Sequence, residues 1–190
     1  MKKILLIACC AALACASCSS SKKASKSQVP AGMTEEVIPL SGAQYRSDAE
    51  YYRAVQNGVS TERSMAQKIA MQNARQELAA AVKADLAQVT ENYARSQHME
   101  ANKSYQSQMT EMAYTVVDQQ LANVSVVAEK LYRESDGSFR YYVCLEMSKA
   151  ALADQLTGAL SDMQSADLEF DKEQFSQIFK EQLARVAAKK

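Results

Sequence analysis

Four cysteines close to the N-terminus are the residues of this 190-residue chain whose type and spacing best fit a chemical modification. They share one short segment and lie at Cys9, Cys10, Cys15 and Cys18. A cysteine that directly follows small residues at the end of an apolar segment is typical of a lipoprotein signal. In such a signal the thiol receives a diacylglyceryl group, and the amine freed by cleavage receives an acyl chain. The sequence therefore predicts lipid attachment at one of these cysteines.

Residues 1–17 have the organisation of a bacterial signal peptide. Lys2 and Lys3 form a positively charged start, and Ile4–Ala14 is an apolar segment of eleven residues. That segment is too short to cross a bilayer, which takes ~20 apolar residues. We therefore predict that residues 1–17 are removed. An ordinary secretory signal with incidental cysteines is the alternative.

Two cysteines compete as the lipidated N-terminus. Cys18 follows Cys15-Ala16-Ser17 and directly precedes a Ser- and Lys-rich stretch, which has the composition of a flexible tether. Cys15 follows Ala12-Leu13-Ala14 and is the second choice. We predict lipidation of Cys18 and a tether over residues 18–36. Several acyl chains together would hold the mature protein at a membrane without a transmembrane helix.

The remaining reactive side chains show no arrangement that predicts catalysis. His98 is the only histidine of the chain and has no cysteine near it, whereas a zinc site needs three or four ligands. A serine hydrolase would need a base, and His98 is the only usual candidate. Nucleotide-binding and nucleophile-elbow motifs do not occur in the sequence. We therefore expect no catalytic group, no metal site and no cofactor, and hence no enzyme.

Charge and cysteine content restrict the partners and the way the fold is stabilised. The chain has 22 basic and 22 acidic residues, and loss of Lys2 and Lys3 with the leader leaves 20 against 22, a net charge of −2. Nucleic-acid-binding domains usually carry a clustered basic surface, so we expect no nucleic-acid partner. Cys144 is the only cysteine beyond Cys18 and cannot form an internal disulfide. The hydrophobic core must therefore stabilise the folded part.

The first folded elements are predicted to be a strand and a long helix. Tyr51–Val59 alternates as a strand that Gly58 should end, and Ser60 or Thr61 should cap the following helix. The helix is expected from Glu62 to about Ser96, because apolar residues recur at helical spacing. Its inward positions are expected at Met65, Ile69, Val82, Leu86, Val89 and Tyr93.

Three alanines on this helix suggest a close contact with another element. Ala66, Ala70 and Ala74 are spaced four residues apart and form a ridge of small side chains. Such a ridge lets a sheet or a helix approach closely. The apolar pattern lapses from Arg95 to Ser104, and a second helix with Tyr105, Met109, Met112 and Val116 on one face should follow.

A hairpin is the clearest β-structure signal. The segment 124–133 is rich in β-branched and aromatic residues, Ser135-Asp136-Gly137-Ser138 is a turn signal, and Phe139–Met147 alternates strictly.

Val37–Leu40 is a short apolar patch compatible with an edge strand, since Pro39 argues against a central one. Two C-terminal helices should begin after the caps Ser148 and Asp171, the latter with Gln174 at the reciprocal capping-box position.

These segments, in this order, resemble the LPP-twenty family of bacterial envelope lipoproteins from about Val37 to Phe179. The stretches that carry the resemblance are Val37-Ile38-Pro39-Leu40, Tyr45-Arg46-Ser47-Asp48, Arg53-Ala54-Val55, Ser60-Thr61, Ala66-Gln67-Lys68-Ile69-Ala70, Asn73-Ala74-Arg75-Gln76-Glu77-Leu78-Ala79 and Phe139-Arg140-Tyr141-Tyr142-Val143. The resemblance implies a small α+β domain in a lipoprotein of the outer membrane or periplasm, and it brings no catalytic or ligand residues.

Together these observations predict an α+β fold for residues 37–190. A small antiparallel sheet of about three strands, including a hairpin over 124–147, should pack on a long helix, with helices at the C-terminus. The expected function is that of a structural or protein-interaction lipoprotein, anchored to the outer membrane through Cys18 and facing the periplasm. Its expected partners are the membrane and either another envelope protein or a second copy of itself. A periplasmic small-ligand-binding module is the alternative.

Overall fold

A computed structural model describes residues 32–98, 103–161 and 170–188, with the backbone alone at residues 183 and 185–188. The strands and helices all lie in one unit, Ile38–Lys190. In chain order they are β1 (Tyr51–Ser60), α1 (Arg63–Ser96), α2 (Lys103–Leu121), β2 (Ser125–Arg133), β3 (Phe139–Ser148), α3 (Lys149–Ser161) and α4 (Lys172–Ala188). Residues 32–37 precede this unit, are exposed and contain no helix or strand.

The sheet has three antiparallel strands in the order β1-β3-β2. The predicted hairpin is confirmed, because β2 and β3 pair and are joined by a tight turn in which Gly137 has φ +87°. Tyr141, Val143 and the following alternate residues of β3 are buried on one face, as the alternation predicted. We call this the inner face of the sheet. The predicted α+β fold, a three-stranded sheet packed on a long helix with C-terminal helices, is therefore confirmed.

The alanine ridge of α1 lies against the inner face of the sheet. Ala66, Ala70 and Ala74 are fully buried. A Cβ atom at Gly58 would lie 2.4 Å from the carbonyl oxygen of Ala66 and 2.6 Å from the backbone nitrogen of Ala70, so the strand and the helix are in backbone contact there. The prediction that Gly58 ends the strand is wrong: β1 continues to Ser60, and Gly58 makes room for the helix.

Two further predictions for α1 need correction. Met65 is exposed rather than inward, because the buried stripe follows the alanines and continues through Leu78 and Val82. Neither Ser60 nor Thr61 caps the helix. Ser60 ends β1, and its Oγ accepts a hydrogen bond from the backbone N–H of Glu62, which occupies the N-cap position.

The second half of α1 contacts the other helices. Tyr93 packs its ring against Phe175 of α4 at 5.5 Å between centroids, and its hydroxyl accepts a hydrogen bond from the backbone N–H of Asp171. Asp171 caps α4 as predicted, because its Oδ1 accepts from the backbone N–H of Gln174. The reciprocal capping-box bond is not made, since Tyr93 takes the N–H that Gln174 was expected to bind. Ser148 caps α3 as predicted, through the N–H of Ala151.

Residues 38–50, which we call the covering segment, fold onto the outer face of the sheet, the face opposite the inner one. The edge strand proposed for Val37–Leu40 is wrong, because Val37 is 93% exposed and Leu40, in a turn with φ +56°, is the buried residue. A 3-10 turn at Ala43–Tyr45 follows. The carbonyl oxygen of Tyr45 then lies 3.9 Å from the Sγ atom of Cys144 in β3. The outer face is thereby covered around Cys144, which is buried.

Candidate interaction surface

The residues that sequence analysis selected for lipid attachment, Cys18 and Cys15, lie outside the described residues. His98 lies at the C-terminal end of α1, is exposed and adopts φ +54°. Glu91, seven residues before His98 on the same helix, forms an ion pair with Arg95. Within the described ranges no cluster of three or more histidine, cysteine or carboxylate side chains could hold a metal ion.

Strand β2 exposes more large apolar side chains than any other described strand or helix. Its apolar side chains are exposed on both faces of the sheet: Val126 is 46%, Val127 42%, Leu131 42% and Tyr132 43% exposed. The cause is the position of α1, which packs on β1 and β3, with its closest approach at Gly58 in β1. β2 lies at the other edge of the sheet, where among the described residues it pairs with β3 alone. We call its four exposed apolar side chains, with its free edge, the β2 surface.

The hairpin turn determines which backbone groups this edge presents. The N–H of Glu134 donates to the carbonyl oxygen of Ser138 at 2.9 Å, and the N–H of Gly137 donates to the carbonyl oxygen of Glu134 at 3.0 Å. Because paired and unpaired positions alternate along an antiparallel ladder, the N–H and C=O groups of Arg133, Leu131 and Glu129 point away from β3. The edge therefore offers three donors and three acceptors to an incoming strand.

A β-bulge limits the regular part of this edge. The register of β2 against β3 shifts between Val126 and Ala128, so that Val127 is the extra residue. Bulges and central lysines are common devices that discourage edge-to-edge pairing. The bulge lies near the start of β2, whereas residues 128–133 keep a continuous register. A partner strand could therefore pair regularly with the C-terminal half of β2.

On the inner face, a hydrogen-bonded chain fixes Glu129. The hydroxyl of Tyr141 donates to the carboxylate of Glu129 and accepts from the side-chain amide of Gln67 in α1 at 3.2 Å. Burial, followed by the hydrogen bond to Glu129, raises the pKa of Tyr141 to about 12. The charge of Glu129 is thereby held in position beside Leu131.

On the outer face, aromatic and charged side chains border the β2 surface. Tyr132 and Tyr142 meet edge to face with 5.8 Å between ring centroids. Arg140 is bound by Glu134 at 2.5 Å and by the side-chain oxygen of Asn57 at 3.0 Å. The ring contact and the Arg140–Glu134 ion pair join the two arms of the β2–β3 hairpin, whereas the bond to Asn57 joins β3 to β1.

The opposite end of the outer face is closed by an ion-pair network. Arg53 of β1 binds Glu146 of β3 at 2.6 Å and Asp48 of the covering segment at 2.5 Å, and donates to the carbonyl oxygen of Arg46 at 3.0 Å. Burial opposes ionisation of Asp48, but hydrogen bonds from Arg53 and from the backbone N–H groups of Glu50 and Tyr51 outweigh it and lower its pKa to about 2. This network attaches the covering segment to the sheet.

With this geometry in view, comparison with other proteins adds no relative. No protein-family model, no curated protein and no solved structure matches the chain.

Among the described residues, α4 lines two concave regions. A depression of about 450 Å³ is lined by Gln97, Phe170 and the first residues of α4, and one of about 530 Å³ lies between Thr157 and α4. Both are open to solvent and lined largely by flexible, charged side chains. None of the described helices combines the length and the apolar composition needed to span a bilayer.

Sequence analysis did not single out the β2 surface. It identified β2 as a strand, but its valines, leucine and tyrosine have the composition of a buried strand. The signal that could have indicated exposure is the charged pair Glu129-Lys130 in the middle of the strand. Because consecutive residues of a strand point to opposite faces, this pair places one charge on each face of the sheet. A strand buried on either face would have left one of these charges in the core.

Proposed function

We propose that this chain is a non-enzymatic envelope lipoprotein, anchored to the outer membrane by lipidated Cys18, whose folded unit binds a protein through the β2 surface. The domain would face the periplasm and act as a structural or interaction module. The observation that carries the proposal is an edge strand with four apolar side chains that are each more than 40% exposed. Soluble monomeric domains usually cover such apolar clusters or use them for binding.

The anchor is supported by the composition of the leader. Lys2 and Lys3, the short apolar segment and the small residues before Cys18 occur in the order that lipoprotein export requires. The stretch Ser19–Lys23 contains no acidic residue, which favours the periplasmic face over export to the surface. The resemblance to LPP-twenty lipoproteins points to the same compartment.

A protein partner explains the geometry of β2 better than a small ligand does. An added strand would satisfy the outward N–H and C=O groups of Glu129, Leu131 and Arg133 and cover apolar side chains on both faces. A small ligand would be held best in an enclosed pocket with convergent polar groups. The two described depressions beside α4 are open to solvent, so neither has the enclosed form that favours a small ligand.

The anchor is tested by two matched variants of the full-length chain in a bacterial envelope. Cys18→Ser should abolish labelling with a lipid precursor and release the protein from sedimented membranes, whereas Cys15→Ser should leave both properties unchanged. If Cys18→Ser still labels and sediments while Cys15→Ser does not, the attachment site is Cys15. If both variants still label and sediment, either cysteine can carry the lipid, and the assignment of Cys18 as the single attachment site is wrong.

The binding surface is tested by site-specific photocrosslinking in intact cells. A photoreactive phenylalanine analogue at Tyr132, on β2, should give a discrete adduct with one protein. The same analogue at Ala80, an exposed position of α1, should not. Leu131→Lys should remove the adduct from Tyr132, because it places a charge in the centre of the surface. Equal adducts from both positions, or none from Tyr132, would contradict the proposal.

A further inference from the structure

We infer that the β2 surface is self-complementary and that its partner is β2 of a second copy of this chain, paired antiparallel around Leu131. The inference rests on the proposed function, because it names the partner of the same surface. It follows from symmetry, from the charges along the strand and from the direction of its free backbone groups.

Symmetry restricts the possible registers. Two identical antiparallel edge strands are related by a two-fold axis perpendicular to the sheet, so that the same face of each copy continues across the junction. A residue can then stand only opposite a residue of its own face, because side chains alternate between the faces. On β2, the inner face carries Glu129, Leu131 and Arg133, and the outer face carries Lys130 and Tyr132.

The charges select among the registers that remain. A junction centred on Glu129 would oppose two carboxylates, and one centred on Lys130 would oppose two ammonium groups, both of which are destabilising. Centres at Val127 or Ala128 fall on the bulge. A centre on Tyr132 would place Lys130 opposite Glu134, whose charge is already paired with the cation Arg140. Glu129 differs, because its described partner is the neutral hydroxyl of Tyr141.

A junction centred on Leu131 satisfies every charge on the paired segment. Leu131 meets its symmetry mate on the axis, and Glu129 stands opposite Arg133 once on each side, giving two equivalent ion pairs. On the outer face each Lys130 stands opposite the ring of Tyr132, a favourable cation–aromatic arrangement. The central lysine, which discourages pairing with an arbitrary strand, is thereby matched in this one register.

The free backbone groups fit the same register. The outward N–H and C=O groups belong to Glu129, Leu131 and Arg133, and these three residues become the hydrogen-bonded pairs of the junction. The bulge at Val127 lies outside the paired segment and stops the pairing from extending along the whole edge. The product is a closed dimer with a continuous six-stranded sheet, in which the inner-face apolar side chains of both copies meet.

Cysteine substitution in the full-length chain, expressed in a bacterial envelope and mildly oxidised, tests this arrangement. Residues of a hydrogen-bonded antiparallel pair have Cα atoms ~5.5 Å apart, within the range of a disulfide. Leu131→Cys should therefore give a reducible dimer. Val126→Cys is the matched control, because Val126 lies on the same face with similar exposure. In the proposed register the two copies of Val126 stand roughly 30 Å apart, so this variant should remain monomeric.

Charge exchange in the Leu131→Cys background tests the register independently. Glu129→Arg or Arg133→Glu alone should lower the yield of dimer at least three-fold, since each places like charges opposite one another twice. The double exchange Glu129→Arg with Arg133→Glu should restore it. Circular dichroism of each purified variant checks that the fold is retained.

The outcomes separate self-pairing from the proposed function. No dimer with Leu131→Cys in a folded chain, or equal dimer with Val126→Cys, would overturn self-pairing. If the photocrosslinker at Tyr132 then still captures a different envelope protein, the β2 surface binds that protein and the proposed function stands. If the adduct from Tyr132 is also absent, both proposals are wrong.

Discussion

Gly58 of β1 lies against the backbone of Ala66 in α1, and a Cβ atom at Gly58 would stand 2.4 Å from the Ala66 carbonyl oxygen. Real Cβ atoms do not approach backbone atoms so closely, so any side chain at this position would push the helix away from the sheet. The contact lies where α1 covers β1 and β3, and β2 lies at the edge of the sheet away from it.

Gly58→Ala should lower the free energy of unfolding by ~1–3 kcal/mol, because the strand and the helix must separate to accept the methyl group. Gly158→Ala is the control. Gly158 lies in the interior of α3 with nothing within 4 Å of a Cβ atom, so alanine there should stabilise by roughly 0.5–1 kcal/mol through its better helix propensity. Chemical denaturation measures both, and a neutral Gly58→Ala would show that the contact is looser than described.

The alanine ridge makes a second prediction about the same interface. Ala70→Leu and Ala74→Leu should each lower the thermal midpoint clearly, since both side chains are fully buried and leucine would overpack the contact. Ala80→Leu, on the exposed side of the same helix, should change it little, because leucine is nearly as good a helix former as alanine. Unchanged midpoints for the two buried positions would mean that the ridge does not face the sheet.

Much of this interface could be predicted from the sequence, because local spacing encodes it. The four-residue spacing of Ala66, Ala70 and Ala74 indicated a close contact, and the alternation of β3 indicated its buried face. The exposure of β2 could not be predicted in this way. It depends on where the helix crosses the sheet, and the residues that pack against the helix, Gly58 among them, lie far from β2 along the chain.

The burial of Cys144 illustrates the same limit. The alternation of β3 placed Cys144 on the face opposite Tyr141 and Val143, and the register confirms this. A residue on that face would be expected to be exposed in a two-layer fold. Cys144 is fully buried instead, because Tyr45, ninety-nine positions earlier, folds back over it, and no local pattern encodes that return.

The covering segment should make the stability of the domain depend on acid pH. The folded-state pKa of Asp48 is about 2, below its ordinary value of 3.8, so its ion pair stabilises the fold above pH 4. That stabilisation should be lost as the pH falls from about 4 through 2. Chemical denaturation at several pH values in this range measures the free energy of unfolding. This free energy should change less with pH in Asp48→Asn than in the unsubstituted protein. If the free energy of unfolding changes equally with pH in both proteins, Asp48 does not hold the covering segment on the sheet.

The covering segment should also protect the thiol of Cys144 from alkylating reagents. Burial raises the pKa of Cys144 above its usual value, and the thiolate is the form that reacts with alkylating reagents. Iodoacetamide should therefore modify Cys144 slowly in the native protein and quickly after denaturation, as measured by mass spectrometry of the peptide. Arg53→Met removes the ion pairs to Asp48 and Glu146 and should increase the native rate several-fold. If iodoacetamide modifies Cys144 rapidly in the folded protein without substitutions, the covering segment does not shield the thiol.

The mass of the mature N-terminus reports whether the chain is attached to the membrane through a lipidated Cys18. The chain is expressed at full length in a bacterial envelope and extracted with detergent, and its N-terminal peptide is analysed by mass spectrometry. The predicted result is a peptide that begins at Cys18 and carries a diacylglyceryl group on the thiol and an acyl chain on the amine. A mature peptide that begins at any residue other than cysteine, or a Cys18 without lipid, would contradict the claim.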